Sequence, residues 1–329
     1  MKTYQIVGIG NAVVDVISQS DDSFLAHMGI EKGIMQLIER DRGEVLYGAM
    51  ENRVQTPGGS VANTIAGAGA LGLDAAFIGR VHDDALGHFY ADAMNEDGVD
   101  FVNPPVAGGE LPTSRSMIFV SPDGERSMNT YLGISSELSS KDVPNAVAGS
   151  AQIMFLEGYL FDKDKGKSAF MEAARDCRKG GGKSGIAISD PFCVERHRAD
   201  FLSLIENDLD FVIGNEDEIK SLFETDDLDA ALAKTSAICP LVVCTRSGDG
   251  VTVIGNGARI DVPVTKVVPV DATGAGDQFA AGFLFGLATG RDLETCAKIG
   301  NICAAEVISH IGPRPEANML DLLREAGLL

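Results

Sequence analysis

Short runs rich in β-branched residues alternate with longer amphipathic stretches along most of the chain, at residues 5–9, 75–79, 153–156, 186–189, 211–213 and 241–245. Between them the apolar spacing turns helical, over 85–97, 165–178, 201–207 and 217–223, and again over 276–288, 293–308 and 317–326. Few folds are open to such a pattern, because parallel strands need a crossover between each pair and the helices supply it. The expectation is an α/β fold with a doubly wound, mostly parallel sheet flanked by helices. With 329 residues and 45% hydrophobic content, the chain suffices for one large core and a small accessory element.

Two stretches interrupt the alternation. Residues 33–39 read as a short extended piece, and 114–121 with 125–131 flank Pro122-Asp123-Gly124, a turn signal, as the arms of a β-hairpin. These pieces are expected to form a small β-sheet lid of 15–38 and 100–132 over a core of 1–14, 39–99 and 133–329. A lid there would cover the carboxyl ends of the main strands, where open α/β sheets bind ligands, and keep water from a reaction. An insertion serving only as a subunit contact is the other reading.

A net charge of −21 argues against the basic surface that nucleic acid or an anionic membrane requires. The six cysteines show no CxxC spacing, which points to reduced thiols and a cytoplasmic setting. Gln5, Asn11 and Asp15 interrupt the apolar N-terminal stretch, so no leader peptide is expected. No run is long and apolar enough to span a bilayer, and the five histidines have no metal-cage spacing.

The chemistry concentrates in Asp271-Ala-Thr-Gly-Ala-Gly-Asp277, a glycine-rich turn opening an apolar helix. The backbone of Gly274, Ala275 and Gly276 can approach an anion at the positive helix end, with Asp277 placed to take a proton from a hydroxyl. A second cluster, Gly58-Gly59-Ser60-Val61-Ala62-Asn63, precedes another helix. Ser60 and Asn63 are suited to sugar hydroxyls there, or Ser60 merely caps the helix. Asn11 and Asp15 follow the first strand and can hold vicinal hydroxyls or form an Asx turn. Asn215-Glu216-Asp217-Glu218 follows the strand at 211–213, as carboxylates near a nucleotide's Mg²⁺ or as acids favoured at a helix start. Thr245-Arg246-Ser247-Gly248-Asp249-Gly250 can run along phosphates or be a plain hairpin turn. Gly181-Gly182-Lys183-Ser184 lacks the first glycine and the preceding strand of a phosphate loop, and the 67–72 glycine run lacks a strand leading into it.

The two glycine clusters, in this order, resemble the paired signatures of the PfkB, or ribokinase-like, family of carbohydrate and nucleoside kinases, and the resemblance covers essentially the whole chain. It implies that Asp277 is the catalytic base, that Gly274, Ala275 and Gly276 form the anion hole, and that Asp271 and Thr273 shape that loop. Asn215 and Glu218 match the family's N-x-x-E motif and would organise Mg²⁺. Asn11, Asp15, Gly58, Gly59, Ser60 and Asn63 would face the acceptor, with Gln36 of the lid against a purine. Thr245, Ser247, Gly250 and Asn301 would lie beside ATP, although Ser247 stands where many members carry glycine. A monovalent cation such as K⁺ serves many members near the second signature. Gly10–Asp15 and Gly124–Gly133 resemble the members that phosphorylate adenosine, which implies its 5′-hydroxyl as acceptor. Fructose, ribose and ketodeoxygluconate are the alternative acceptors, and a non-catalytic nucleotide or sugar sensor is the alternative class. A monomer or homodimer is expected.

Overall fold

Strand β1 (Tyr4–Ile9) buries Ile6 against one layer of helices and Val7 and Ile9 against another, as a strand covered on both faces must. This computed structural model describes residues 3–329, and Met1 and Lys2, which begin the first expected core segment, lie outside the described residues. Parallel partners flank β1: β5 (Ala75–Ile78) and then β6 (Val99–Phe101) on one side, β9 (Ala151–Glu157) on the other. The sheet continues through β10 (Lys183–Ala187), β11 (Phe211–Asn215) and β12 (Leu241–Thr245), and ends in the antiparallel pair β13 (Val251–Gly255) and β14 (Ala258–Val262).

A second sheet has the order β3 (Met35–Leu37), β8 (Arg126–Tyr131), β7 (Ser114–Val120), β2 (Val13–Gln19), β4 (Val54–Gly58). The hairpin at Pro122-Asp123-Gly124 is present as expected, with β7 and β8 antiparallel. The lid sheet also takes β4, from a segment assigned to the core; Pro57 is tolerated there because β4 is an edge strand.

Helices α1 (Asp22–Met28) and α2 (Arg40–Ala49) cover one face of the lid sheet, Phe24 against Phe119 and Gly43 against Met117. One face of the main sheet carries α3 (Ser60–Ala70), α4 (Ala85–Glu96), α10 (Ala275–Ala288), α11 (Leu293–Val307) and α12 (Met319–Glu325). The other carries α5 (Asn145–Ala148), α6 (Asp164–Lys179), α7 (Pro191–Asp208), α8 (Glu216–Leu222) and α9 (Leu228–Ile238). The helix expected at 201–207 is the second part of α7, beyond a break at His197 (φ −128°, ψ 22°); the first part starts at Pro191, which fits a first turn, with Asp190 capping it through the Cys193 amide. The strand expected at 186–189 stops at Ala187, where Ser189 turns to a φ of 85°. No helix among the described residues is long and apolar enough to cross a membrane.

Candidate active site

Helix α10 begins at Gly274, in the left-handed region with φ 79°, where a side-chain Cβ would stand 2.6 Å from Pro313 Cα. No side chain caps it, and among the described residues the amides of Gly276 and Asp277 meet no acceptor. These N–H groups, at the positive end of a helix of 14 residues, have the geometry to receive an anion. Beside them the Asp277 carboxylate accepts from Ser60 Oγ at 2.7 Å and from Asn63 Nδ2 at 3.2 Å. Desolvation raises its pKa to about 6, against the lowering effect of those two bonds.

Ser60 and Asn63 come from the start of α3, where the N-cap is Gly59 with φ 99°. A Cβ on Gly59 would lie 2.2 Å from the Asn11 carbonyl oxygen, so only glycine passes there. Ser60 is therefore the first helical residue and not the cap, which leaves its hydroxyl for Asp277. The missing cap is supplied from β9: Glu157 Oε2 accepts the Val61 amide at 3.1 Å, while Oε1 accepts from the Asn11 amide and from Asn11 Nδ2 at 2.7 Å. Glu157 is 1% exposed, and burial raises its pKa to about 7. The sequence reading missed it; its place at the carboxyl end of an expected strand was the one available signal. Asn11 Oδ1 meanwhile accepts from Ser135 Oγ at 2.8 Å, so much of the Asn11 amide is spent inside the protein.

Asp15 projects from β2 toward the main domain, over Gly58, where a Cβ would stand 2.3 Å from a carboxylate oxygen. Its carboxylate has no hydrogen-bond partner among the described residues, and it faces Asp277 across the cleft. Burial raises its pKa to about 7, opposed by Arg314 and Arg126 and reinforced by Asp277. Strand parity puts Gln36 elsewhere. It shares a face with Asn129, Met117 and Val16, the face covered by α2, and its amide donates to Glu31. Gln36 is thus not brought to the cleft.

On the other side of Asp277 a cavity of about 660 Å³ runs past Asn215 and Glu218 to Thr245, Ser247, Gly250 and Asn301. Asn215 and Glu218 form a reciprocal capping box: Asn215 Oδ1 accepts the Glu218 amide and Glu218 accepts the Asn215 amide, each at 2.9 Å. The helix-start reading therefore holds, and both residues still line the cavity. Burial raises the Glu218 pKa to about 7. The turn after β12 is a hairpin turn and a cavity wall at once. Ser247 adopts a left-handed φ of 48°, the conformation glycine would take there, and Gly250 has φ 96°.

Asp271 and Thr273 do not reach the cavity as free ligands. Asp271 accepts from the Thr273 amide and hydroxyl and from the Gly312 amide, and pairs with Arg126 of the lid hairpin, so it ties lid, anion loop and C-terminal loop together. These bonds hold its pKa below the usual value despite burial. Among the described residues no cluster of three or more acidic, histidine or cysteine groups is arranged to hold a metal.

A family model described as pfkB family carbohydrate kinase matches residues 30–318. The chain is similar in structure to adenosine kinase from Sinorhizobium meliloti, with 45% identity and a TM-score of 0.92 over 99% of this chain and 100% of that one. It is similar also to a probable sugar kinase from Rhizobium etli, with 41% identity and a TM-score of 0.93 over the full length of both. Fructokinase from Klebsiella pneumoniae is 30% identical over 250 residues, 71% of this chain and 78% of that protein.

Proposed function

Because the chain belongs to the pfkB family of carbohydrate kinases, we propose that it transfers the γ-phosphoryl of ATP to the 5′-hydroxyl of adenosine. That it is a phosphotransferase with an alcohol acceptor and an ATP donor follows from the family; the nucleoside is the proposal. One observation carries it. Val54, Ile17, Ile118, Met128 and Met35 pair in register straight across the lid, on the face that carries Asp15 and lies opposite the one α1 and α2 cover. This apolar strip beside a carboxylate suits a flat nucleobase above a polyhydroxylated ring, whereas a bare sugar would leave it wet. The 45% identity to adenosine kinase from Sinorhizobium meliloti supports the same reading. A sugar acceptor is the second reading, favoured by the fructokinase relative.

In this reading Asp15 orients the ribose hydroxyls, and Asp277 accepts the 5′-hydroxyl proton as the oxygen attacks. The amides of Gly276 and Asp277 stabilise charge gathering on the phosphoryl oxygens. Glu218, a single buried carboxylate on the phosphate side of the cavity, matches what Mg²⁺ takes from a protein when it arrives with a nucleotide and keeps its waters. Mg²⁺ would supply charge neutralisation there. Helices α1 and α2 already cover the lid's other face, so a monomer fits this fold, and the cytoplasm suits its six free thiols.

The test is ADP release with adenosine, inosine, ribose, fructose and ketodeoxygluconate as acceptors. Adenosine is expected to give the highest kcat/KM. Turnover of sugars alone removes the nucleoside.

A further inference from the structure

We infer that Arg314 is a positioning residue, one that holds the Asn63 carboxamide with its NH2 toward Asp277. The inference rests on the phosphoryl-transfer reading above. Arg314 lies between Pro313 and Pro315, which stiffen its backbone, and Pro313 is anchored to α10 through a 2.9 Å bond from Gln278 Nε2 to its carbonyl oxygen. The same Gln278 nitrogen donates to the Asn63 carbonyl at 3.0 Å. From this fixed base the guanidinium reaches three neighbours on two helices. One terminal nitrogen pairs with Asp97 at the C-cap of α4, and the other lies 3.4 Å from Met94 Sδ. Nε donates to Asn63 Oδ1 at 3.4 Å.

The consequence follows from the two unlike ends of a carboxamide. With Oδ1 turned to Arg314, Nδ2 is left for Asp277, and it donates at 3.2 Å. Turned the other way, the NH2 would face a guanidinium and the oxygen a carboxylate, which costs both bonds. Asp97 explains why the guanidinium stays. A carboxylate at a helix C-terminus has the wrong sign for the dipole, and the ion pair compensates it.

Arg314→Met and Arg314→Lys test this role. Carboxyl-carbon NMR of aspartate-labelled protein, with Asp277 assigned through Asp277→Asn, should show the Asp277 midpoint rising in Arg314→Met, where the Asn63 bond that lowers it is loosened, and little in Arg314→Lys. In turnover, kcat should fall roughly 10- to 100-fold in Arg314→Met, and adding Asn63→Ala should cost little more because both act through one contact. An unmoved Asp277 midpoint in folded Arg314→Met overturns the proposal, and so do independent, multiplying losses in the double variant. Should Arg314→Met not fold, Asp97→Asn loosens the same guanidinium and is read in the same two ways. The NMR titration needs no acceptor, so it decides on Arg314 even if the panel above rejects adenosine.

Discussion

Asp277 is held by two neutral donors, Ser60 and Asn63, while desolvation raises its pKa to about 6. It remains largely ionised at neutral pH, yet is a stronger base than an exposed aspartate, which suits proton transfer from an alcohol. Asp277→Asn keeps the shape and both neighbours, so the protein should fold and bind ATP while kcat falls about 10²- to 10⁴-fold. Turnover near that of the unaltered protein would reject Asp277 as the base. In the proposed reaction Asp277 works deprotonated, and Asp15, with its pKa near 7, accepts from the hydroxyls as a carboxylate. The value of kcat/KM should therefore fall as pH drops from about 7.5 toward 5.5. Ser60→Ala removes a bond that lowers the Asp277 pKa, so the acid limb of kcat should move to higher pH. An acid limb that stays in place would show that the Ser60 bond does not tune the base.

At the scale of elements, the site depends on how α3 starts. Its N-cap is a glycine, its first-turn amide is capped by a carboxylate 96 residues away, and its Ser60 and Asn63 hold Asp277, the proposed base. Glu157→Ala leaves the Val61 and Asn11 donors buried without an acceptor and should cost about 1–3 kcal/mol, read as a lower denaturation midpoint with unchanged slope. A midpoint equal to that of the starting protein would mean that water replaces the carboxylate at no loss. The anion turn at 271–277 was legible in the sequence because its parts are contiguous and its φ requirement is written as glycine. Glu157 and Arg314 were not, since they reach α3 only through the folded sheet and the C-terminal loop. Gln36 was placed in the cleft for want of the strand register, which alone decides the face a lid residue takes. The strand β4 was hidden by Pro57 and by the glycines that follow it. The main sheet was legible nearly throughout, because its strands are short apolar runs separated by helical ones. The bounds of α7 were not, as its apolar first turn, Pro191-Phe192-Cys193-Val194, has no helical spacing and the helix breaks at His197.

For the molecule as a whole, four carboxylates around one cleft have raised pKa values, about 7 for Asp15, Glu157 and Glu218 and about 6 for Asp277. In the unfolded chain such groups titrate near 4. The folded state thus binds more protons between these limits, so their stabilising contribution is complete below about pH 4 and is lost as pH rises through 6 to 7. His310, also raised, acts in the same direction. Carboxylates held low, Asp84 and Asp271, behave oppositely, but their contribution is lost only as pH falls below the ordinary carboxylate range. Between pH 5.5 and 8 the raised groups dominate, and the thermal midpoint should fall as pH increases. General repulsion in a chain of net charge −21 also grows with pH, and salt separates the two effects. About 0.5 M salt screens surface charge but reaches buried groups little. A slope that survives salt and flattens in Glu157→Gln and Glu218→Gln belongs to the cleft, where stability is given up for ionised groups at the site. A slope that salt abolishes would assign it to the surface and leave the buried carboxylates without that cost.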